Sequence, residues 1–323
     1  MPLPAKDQLK ICFAHPAYRM ADRFAARGTG IAHTQVSDPA AYAAAVPAAD
    51  VVVVSMMWKN DLVPQAKRLK FVQSISAGID QYDQNAFRAH GIRLANAAGV
   101  NGHAVAEHAM AMILALKRHL HTGRDNQARK HWRGMISQIP EREDQLGGKT
   151  LLVVGLGRIG SRLARLGKAF DMRVVGIRRD PARGGDGADA VYSHDRLIEQ
   201  LAQADIVVLT CPLTPETTNL IDAKALAAMR PSAHLVNVAR GRVVDEPALI
   251  EALQEKRIAA AGLDVAQVEP LPTESPLWGM PNVLITPHTA GETQRYEDGV
   301  IDLLVENLDR LWRGETTLKN QIV

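Results

Sequence analysis

Apolar residues along the chain gather in short runs, and the stretches between those runs repeat apolar positions at helical intervals. Runs at 9–14, 50–55, 69–75 and 92–95 are β-branched or alternate, which predicts strands. Alanine-rich or mixed segments around 17–27, 39–46, 61–67 and 81–89 suit short helices. Strands that alternate with helices imply a parallel sheet covered on both faces. The rhythm breaks at Gly102. Residues 104–119 are apolar nearly all round in the middle, which predicts a buried helix at a domain or subunit boundary. Residues 123–145 are polar and charged, carry Trp132, and suit either a projecting arm or a surface loop. Strand-like runs then resume at 151–154, 172–177, 204–210, 233–238, 259–265 and 282–286. Helices such as 222–229 and 246–256 fall between them. A last helix, about 292–313, sets Val300, Leu304, Leu308 and Leu311 on one face and stops at Gly314.

A chain of 323 residues suits two domains of ordinary size. With 38 basic against 35 acidic residues the net charge is only +3, so there is no electrostatic case for nucleic acid or an anionic membrane. Cys12 and Cys211 are far apart and lack metal-site spacing, which fits a reducing compartment. The amino-terminal stretch has no basic-then-apolar signal pattern, and no apolar run approaches membrane-spanning length. A cytoplasmic protein is therefore expected.

The most informative stretch starts at Lys149. The apolar strand 151–154 runs into Gly155, Gly157 and Gly160 at G-x-G-x-x-G spacing, and Ile159, Leu163 and Leu166 follow at helical intervals. Each glycine has its own reason: a tight turn, close approach of backbone to a pyrophosphate, and close packing of helix on sheet. The new helix offers free N–H groups and its positive dipole end to the diphosphate. A doubly wound Rossmann sheet is predicted.

In such sheets ligands bind beyond the carboxyl ends of the strands. Three successive ends carry Arg240, Glu269 and His288. Taken singly, each has a plain alternative: a surface arginine, a solvated loop carboxylate, a structural histidine. Together they suit hydride transfer to a carbonyl, with the histidine protonating oxygen, the carboxylate keeping it charged and the arginine binding an anionic substrate. The other histidines, among them His103, His108, His119 and His121, are expected to be structural. His103 and His108 stand one position too far apart for a shared metal face, so no metal site is expected.

In order, the chain reads G-L-G-R-I-G, A-D-I-V-V-L-T-C-P-L-T-P-E-T, N-V-A-R-G, D-V-x-x-x-E-P and P-L-W-x-M-P-N-V-L-I-T-P-H. Across roughly residues 74–288 it resembles the D-isomer-specific 2-hydroxyacid dehydrogenase family. The resemblance implies a Rossmann domain, 98–291, inserted in a flavodoxin-like substrate domain, 1–97 completed by 292–323. It implies catalysis by Arg240, Glu269 and His288. The 2-oxo or 2-hydroxy acid substrate would bind at Ser76, Ala77, Gly78 and Ile79, whose backbone amides take the carboxylate. The dinucleotide would lie along Gly155, Leu156, Gly157, Arg158, Ile159, Gly160, Arg178, Arg179, Thr210, Cys211, Pro212, Ala239, Asp264 and Gly291. It also implies a homodimer joined around the long helix and the arm after it. The same fold serves dinucleotide-sensing corepressors and dehydrogenases of phosphorylated hydroxy acids. A chain that keeps all three catalytic types and ends at Val323 fits those alternatives less well than a 2-oxoacid reductase.

Two features narrow the expectation. Where NAD-selective members of the family place an acidic residue, this chain has Arg178 and then Arg179. Two guanidinium groups favour a 2′-phosphate, so NADP(H) is expected to be preferred, with NAD(H) possible through Asp180. Met56, Met57 and Trp58 follow a strand of the first domain and could wall the side-chain pocket. The substrate would then carry a small or apolar group, as in glyoxylate, hydroxypyruvate or a branched 2-oxo acid.

Overall fold

The computed structural model describes residues 3–185 and 187–323. The chain divides into two compact units, Met1–Asn101 with Thr293–Val323, and Gly102–Glu292.

The first unit opens with β1 (Lys10–Ala14), α1 (Met20–Ala25), β2 (Ala32–Val36), α2 (Pro39–Ala45), β3 (Val51–Val54), β4 (Phe71–Ser74), α3 (Gln84–Ala89) and β5 (Arg93–Ala95). The strands form one parallel sheet in the order β2-β1-β3-β4-β5, the flavodoxin-like order. Its central strand β3 is Val-Val-Val-Val and is wholly buried, as befits a strand covered on both faces. Asp38 and Asp83 start α2 and α3 by accepting first-turn amides on their side chains. The helix expected over 61–67 is instead a short 3-10 turn, Asn60–Gln65, with Pro64 inside it; proline removes the amide an α-helix needs there. β2 was not anticipated from the sequence.

The second unit begins with α4 (Gly102–Lys117) and α5 (Leu120–Ala128), followed by β6 (Thr150–Val154), α6 (Arg158–Ala169), β7 (Arg173–Ile177), β8 (Ala190–Tyr192), α7 (Leu197–Leu201), β9 (Ile206–Leu209), α8 (Ala223–Ala228), β10 (His234–Asn237), α9 (Glu246–Gln254), β11 (Ala260–Leu263) and β12 (Val283–Ile285). Seven parallel strands run in the order β12-β11-β10-β9-β6-β7-β8, so the order reverses beside β6 as in a Rossmann sheet. Two apolar layers cover its faces. One contains α4 and α6, with Met112, Ile113, Leu116 and Leu163, and the other contains α7, α8 and α9. Beyond α5 the polar stretch bares Trp132, 98% exposed, together with Met135 and Ile139.

The final helix, α10 (Tyr296–Trp312), belongs to the first unit. Val300, Leu304 and Leu308 share one buried apolar cluster with Ile11, Phe13 and Phe71 of that unit's sheet. Its only fully buried polar residue, Asn307, donates to Gln73 Oε1 at 3.1 Å and to the Lys319 carbonyl at 3.2 Å, and accepts the Lys319 amide at 2.8 Å. Every polar atom of that side chain is thus partnered.

Candidate active site

At the reversal point the three glycines differ as their spacing implies. Gly155 has φ +105°, and a Cβ there would lie 2.6 Å from the Cys211 amide nitrogen. At Gly160 a Cβ would lie 2.2 Å from the Gly155 carbonyl oxygen, so α6 can seat on the turn only without a side chain. Beside Gly157, by contrast, the space is open. Gly157 is also the N-cap of α6, and no side chain caps that helix, which leaves first-turn amides for a ligand. Thr210 braces the turn by donating its hydroxyl to the Gly155 carbonyl at 2.7 Å.

Around this turn lies a cleft of about 840 Å³ lined by Gly155, Leu156, Gly157, Arg178, Arg179, Asp180, Thr210, Cys211 and Pro212. The residues fit a dinucleotide: an open glycine at an uncapped helix start, beside a groove of sufficient size. Not every lining residue offers its side chain. Leu156 packs onto Gly176, where even a Cβ would come within 2.0 Å of it, so it can meet a cofactor only through its main chain. Burial pushes the Cys211 thiol up to about 11, which keeps it a neutral wall. Ile159 is partly buried against the α4 layer, and Gly291 is half-buried in the turn after β12. Arg178 donates to the Gly184 carbonyl at 2.6 Å, and Asp180 caps the Ala182 amide at 3.2 Å. The cleft also includes Arg183, Ser193 and His194, which sequence reasoning missed. Ser193 and His194 follow β8, and without that strand nothing in the sequence placed them at a carboxyl end; Arg183 lies in the short turn after β7, just past the Arg178–Asp180 run.

The three candidate catalytic residues lie within the second unit. His288 Nδ1 is 2.7 Å from Glu269 Oε2, and Glu269 Oε1 accepts the Ala266 amide at 3.1 Å. The hydrogen bond to Glu269 raises the His288 pKa, burial opposes this, and the Glu269 charge adds to the rise. Burial pushes the other way at Glu269, yet the hydrogen bond and charge of His288 hold its carboxyl below the usual range. An ionised carboxylate only accepts, so the Nδ1 proton points at Glu269 and Nε2 remains for a substrate. Arg240 is near enough for its charge to resist protonation of His288 and favour ionisation of Glu269. Its guanidinium is steadied by a 2.8 Å bond to the Ala239 carbonyl, and its own carbonyl accepts from Asn237 at 3.0 Å. The next residue, Gly241, touches the Glu269 loop directly, since a Cβ there would stand 1.9 Å from the Ala266 carbonyl oxygen. The turns carrying Arg240 and Glu269 are therefore packed backbone to backbone.

His288 itself has φ +56°, a left-handed conformation uncommon outside glycine and costly enough to need support. That support is Asp264, just beyond β11 and 2% exposed. Its carbonyl accepts the His288 amide at 2.7 Å. Its carboxylate accepts the Thr286 hydroxyl at 2.6 Å, the Thr289 amide at 3.0 Å and the Ala290 amide at 3.1 Å. Asp264 was expected beside a cofactor; here both its oxygens hold the turn that carries the histidine.

In the first unit, the loop after β4 keeps the N–H groups of Ala77, Gly78 and Ile79 without an acceptor among the described residues. Other bonds fix the loop: Asn96 donates to the Ala77 carbonyl at 2.7 Å, the Ser76 hydroxyl to the Gly78 carbonyl at 2.9 Å, and the Ala97 amide to the Ser76 carbonyl at 3.0 Å. Three amides without an internal acceptor on a braced loop are donors available to an anion. The expectation for Trp58 needs correction. It is 5% exposed, its ring packs 5.1 Å from Phe87 and 5.6 Å from Tyr82, and its indole N–H is spent on Asn60. Met57 is buried in the same cluster, and only Met56, 70% exposed, is open to a ligand. An aromatic ring with a local hydrogen-bond partner gains most from burial, and the core claims it.

This fold and this site define a nicotinamide-dependent oxidoreductase that works by hydride transfer. The family model described as "D-isomer specific 2-hydroxyacid dehydrogenase, NAD binding domain" matches residues 110–290. Glyoxylate reductase of Pyrococcus furiosus is 37% identical over 281 residues, covering 84% of this chain and 82% of that protein. Among solved structures, a D-isomer specific 2-hydroxyacid dehydrogenase family protein from Aeromonas salmonicida superposes with a TM-score of 0.86 at 31% identity, covering 98% of this chain and 99% of that one. The NADPH-dependent glyoxylate/hydroxypyruvate reductase of Sinorhizobium meliloti, solved with NADP and malonate, gives 0.82 at 27% identity, covering 98% and 97%. The chain belongs to the D-isomer specific 2-hydroxyacid dehydrogenase family. None of its described helices is long and apolar enough to cross a membrane.

Proposed function

We propose that the protein is a cytoplasmic, homodimeric reductase of small 2-oxo acids that forms D-2-hydroxy acids and prefers NADPH. The observation that carries this reading is the 2.7 Å pair of His288 and Glu269 beside the charge of Arg240, at carboxyl ends of a dinucleotide-binding sheet. When bound, the reduced nicotinamide supplies a hydride to the carbonyl carbon. His288 gives the proton on Nε2 to the carbonyl oxygen, and Glu269 keeps that proton available near neutral pH. Arg240 binds the substrate carboxylate and stabilises negative charge developing on oxygen.

The preference for NADPH is supported by Arg178 and Arg179 in the cleft and by a structural relative named as NADPH-dependent. A small substituent is supported by the relatives named as glyoxylate reductases. Homodimerisation is supported by the bare Trp132 and Met135 of the arm, since apolar surface of that kind marks interfaces. A cytoplasmic site agrees with two buried, unpaired cysteines.

The test is a steady-state panel of glyoxylate, hydroxypyruvate and a branched 2-oxo acid, each with NADPH and NADH, run for the wild type and His288→Asn. The expected result is turnover of at least one acid that the variant loses while still binding dinucleotide. Wild-type rates in the variant, or no turnover of any member of the panel, would overturn it.

A further inference from the structure

We propose that His108 is a positioning residue for His288, acting from α4 through Thr286 and Asp264. The proposal rests on the role of His288 given above. The chain of contacts is short. Nε2 of His108 lies 2.9 Å from the Thr286 hydroxyl, and that hydroxyl lies 2.6 Å from Asp264 Oδ1. A carboxylate oxygen flanked by two amides, at 3.0 and 3.2 Å, accepts rather than donates. The single hydroxyl proton of Thr286 is therefore spent on Asp264. The Thr286 oxygen can only accept from His108, which fixes the tautomer: Nε2 carries a hydrogen and donates it.

Each link orients the next. His108 aims the Thr286 hydroxyl at Asp264. Asp264, so filled, holds the Thr289 and Ala290 amides on its side chain and the His288 amide on its carbonyl. Those bonds sustain the left-handed backbone that His288 needs. His108 stands apart from its helix in this respect. The buried positions of α4 are almost wholly apolar and pack on the sheet, whereas the partly buried imidazole of His108 is 3.6 Å from the Asp264 carboxylate. Bonds of this kind strengthen one another in a low-dielectric site, so removal of the first donor loosens the whole turn. A small displacement of an acid–base group is costly in rate.

The experiment compares His108→Leu, His108→Gln and His108→Asn, with Thr286→Val and the Thr286→Val/His108→Leu pair, using the best substrate of the panel. A glutamine nitrogen reaches about as far as Nε2 of histidine; that of asparagine falls one methylene short. Leucine and asparagine are expected to lower kcat by about 10- to 100-fold, with the dinucleotide Kd and unfolding midpoint unchanged and glutamine restoring most of the rate. The double variant should be no worse than Thr286→Val alone, because both break one chain. Should the leucine variant fail to fold, the glutamine–asparagine contrast decides. A kcat within twofold of wild type for asparagine, equal damage from glutamine and asparagine, or additive effects in the pair overturns the proposal. A dead His288→Asn enzyme beside an unimpaired His108→Asn enzyme overturns it alone, whereas an active His288→Asn enzyme overturns the role of His288 and this proposal with it.

Discussion

Replacing Glu269 by glutamine tests the catalytic pair most directly, because the amide keeps the shape and removes the charge. A hydrogen bond between charged groups contributes about 1.5–3 kcal/mol. The two side chains are 48% and 38% exposed, so solvent screening confines the effect to about 1–2 kcal/mol. That corresponds to a loss of roughly 5- to 30-fold in the rate of 2-oxo acid reduction at neutral pH. The sign of the pH effect follows from the structure. On the proposed role, reduction needs His288 protonated; the bond to Glu269 raises its pKa, so the wild-type rate should persist toward neutrality and fall as pH rises through the elevated value. In Glu269→Gln that fall should begin at a more acid pH. For oxidation of the hydroxy acid, which needs the neutral imidazole, the rising limb should move the same way. Initial rates of dinucleotide oxidation and reduction across pH, at saturating cofactor, measure both. A variant that loses rate yet keeps both limbs at their wild-type pH would show that Glu269 only fills space, and would refute the acid–base pairing.

Gly160→Ala sets a methyl carbon 2.2 Å from the Gly155 carbonyl, so α6 must lift from the turn. Calorimetry should show at least tenfold weaker dinucleotide binding, and denaturation a loss of about 1–3 kcal/mol. Asn307→Ala strips partners from Gln73 and from the Lys319 amide and carbonyl, and urea unfolding should show a loss of about 2–4 kcal/mol in total. Arg178→Ala should reduce the ratio of kcat/KM for NADPH over NADH by about 10- to 100-fold, the worth of one charged bond to a phosphate. An unchanged ratio would remove Arg178 from cofactor choice.

What the sequence disclosed follows burial. β3, β6 and β9 are central, covered on both faces, and written almost wholly in valine, leucine and isoleucine. The two strands not foreseen, β2 and β8, are edge strands of their sheets. An edge strand is paired on one side only, so Ala-His-Thr-Gln-Val and Ala-Val-Tyr carry too little apolar signal. The G-x-G-x-x-G turn was legible because backbone sterics dictate each glycine. Thr286 and His108 were not, since 178 positions separate them and only the packing of α4 on the sheet makes them neighbours. Trp58 shows the converse error, in which proximity to a strand end in sequence was taken for access to ligand.

Because residues 293–323 return to complete the first unit, that unit cannot finish folding until they have been synthesised. The second unit is continuous and holds all its own strands, so it can close as soon as Glu292 has cleared the exit. Until α10 follows, the nascent sheet of β1–β5 shows the face of Ile11, Phe13 and Phe71 that this helix later covers. The order of synthesis is thereby inverted in the order of assembly, and in the interval between them the bared apolar face is open to wrong contacts.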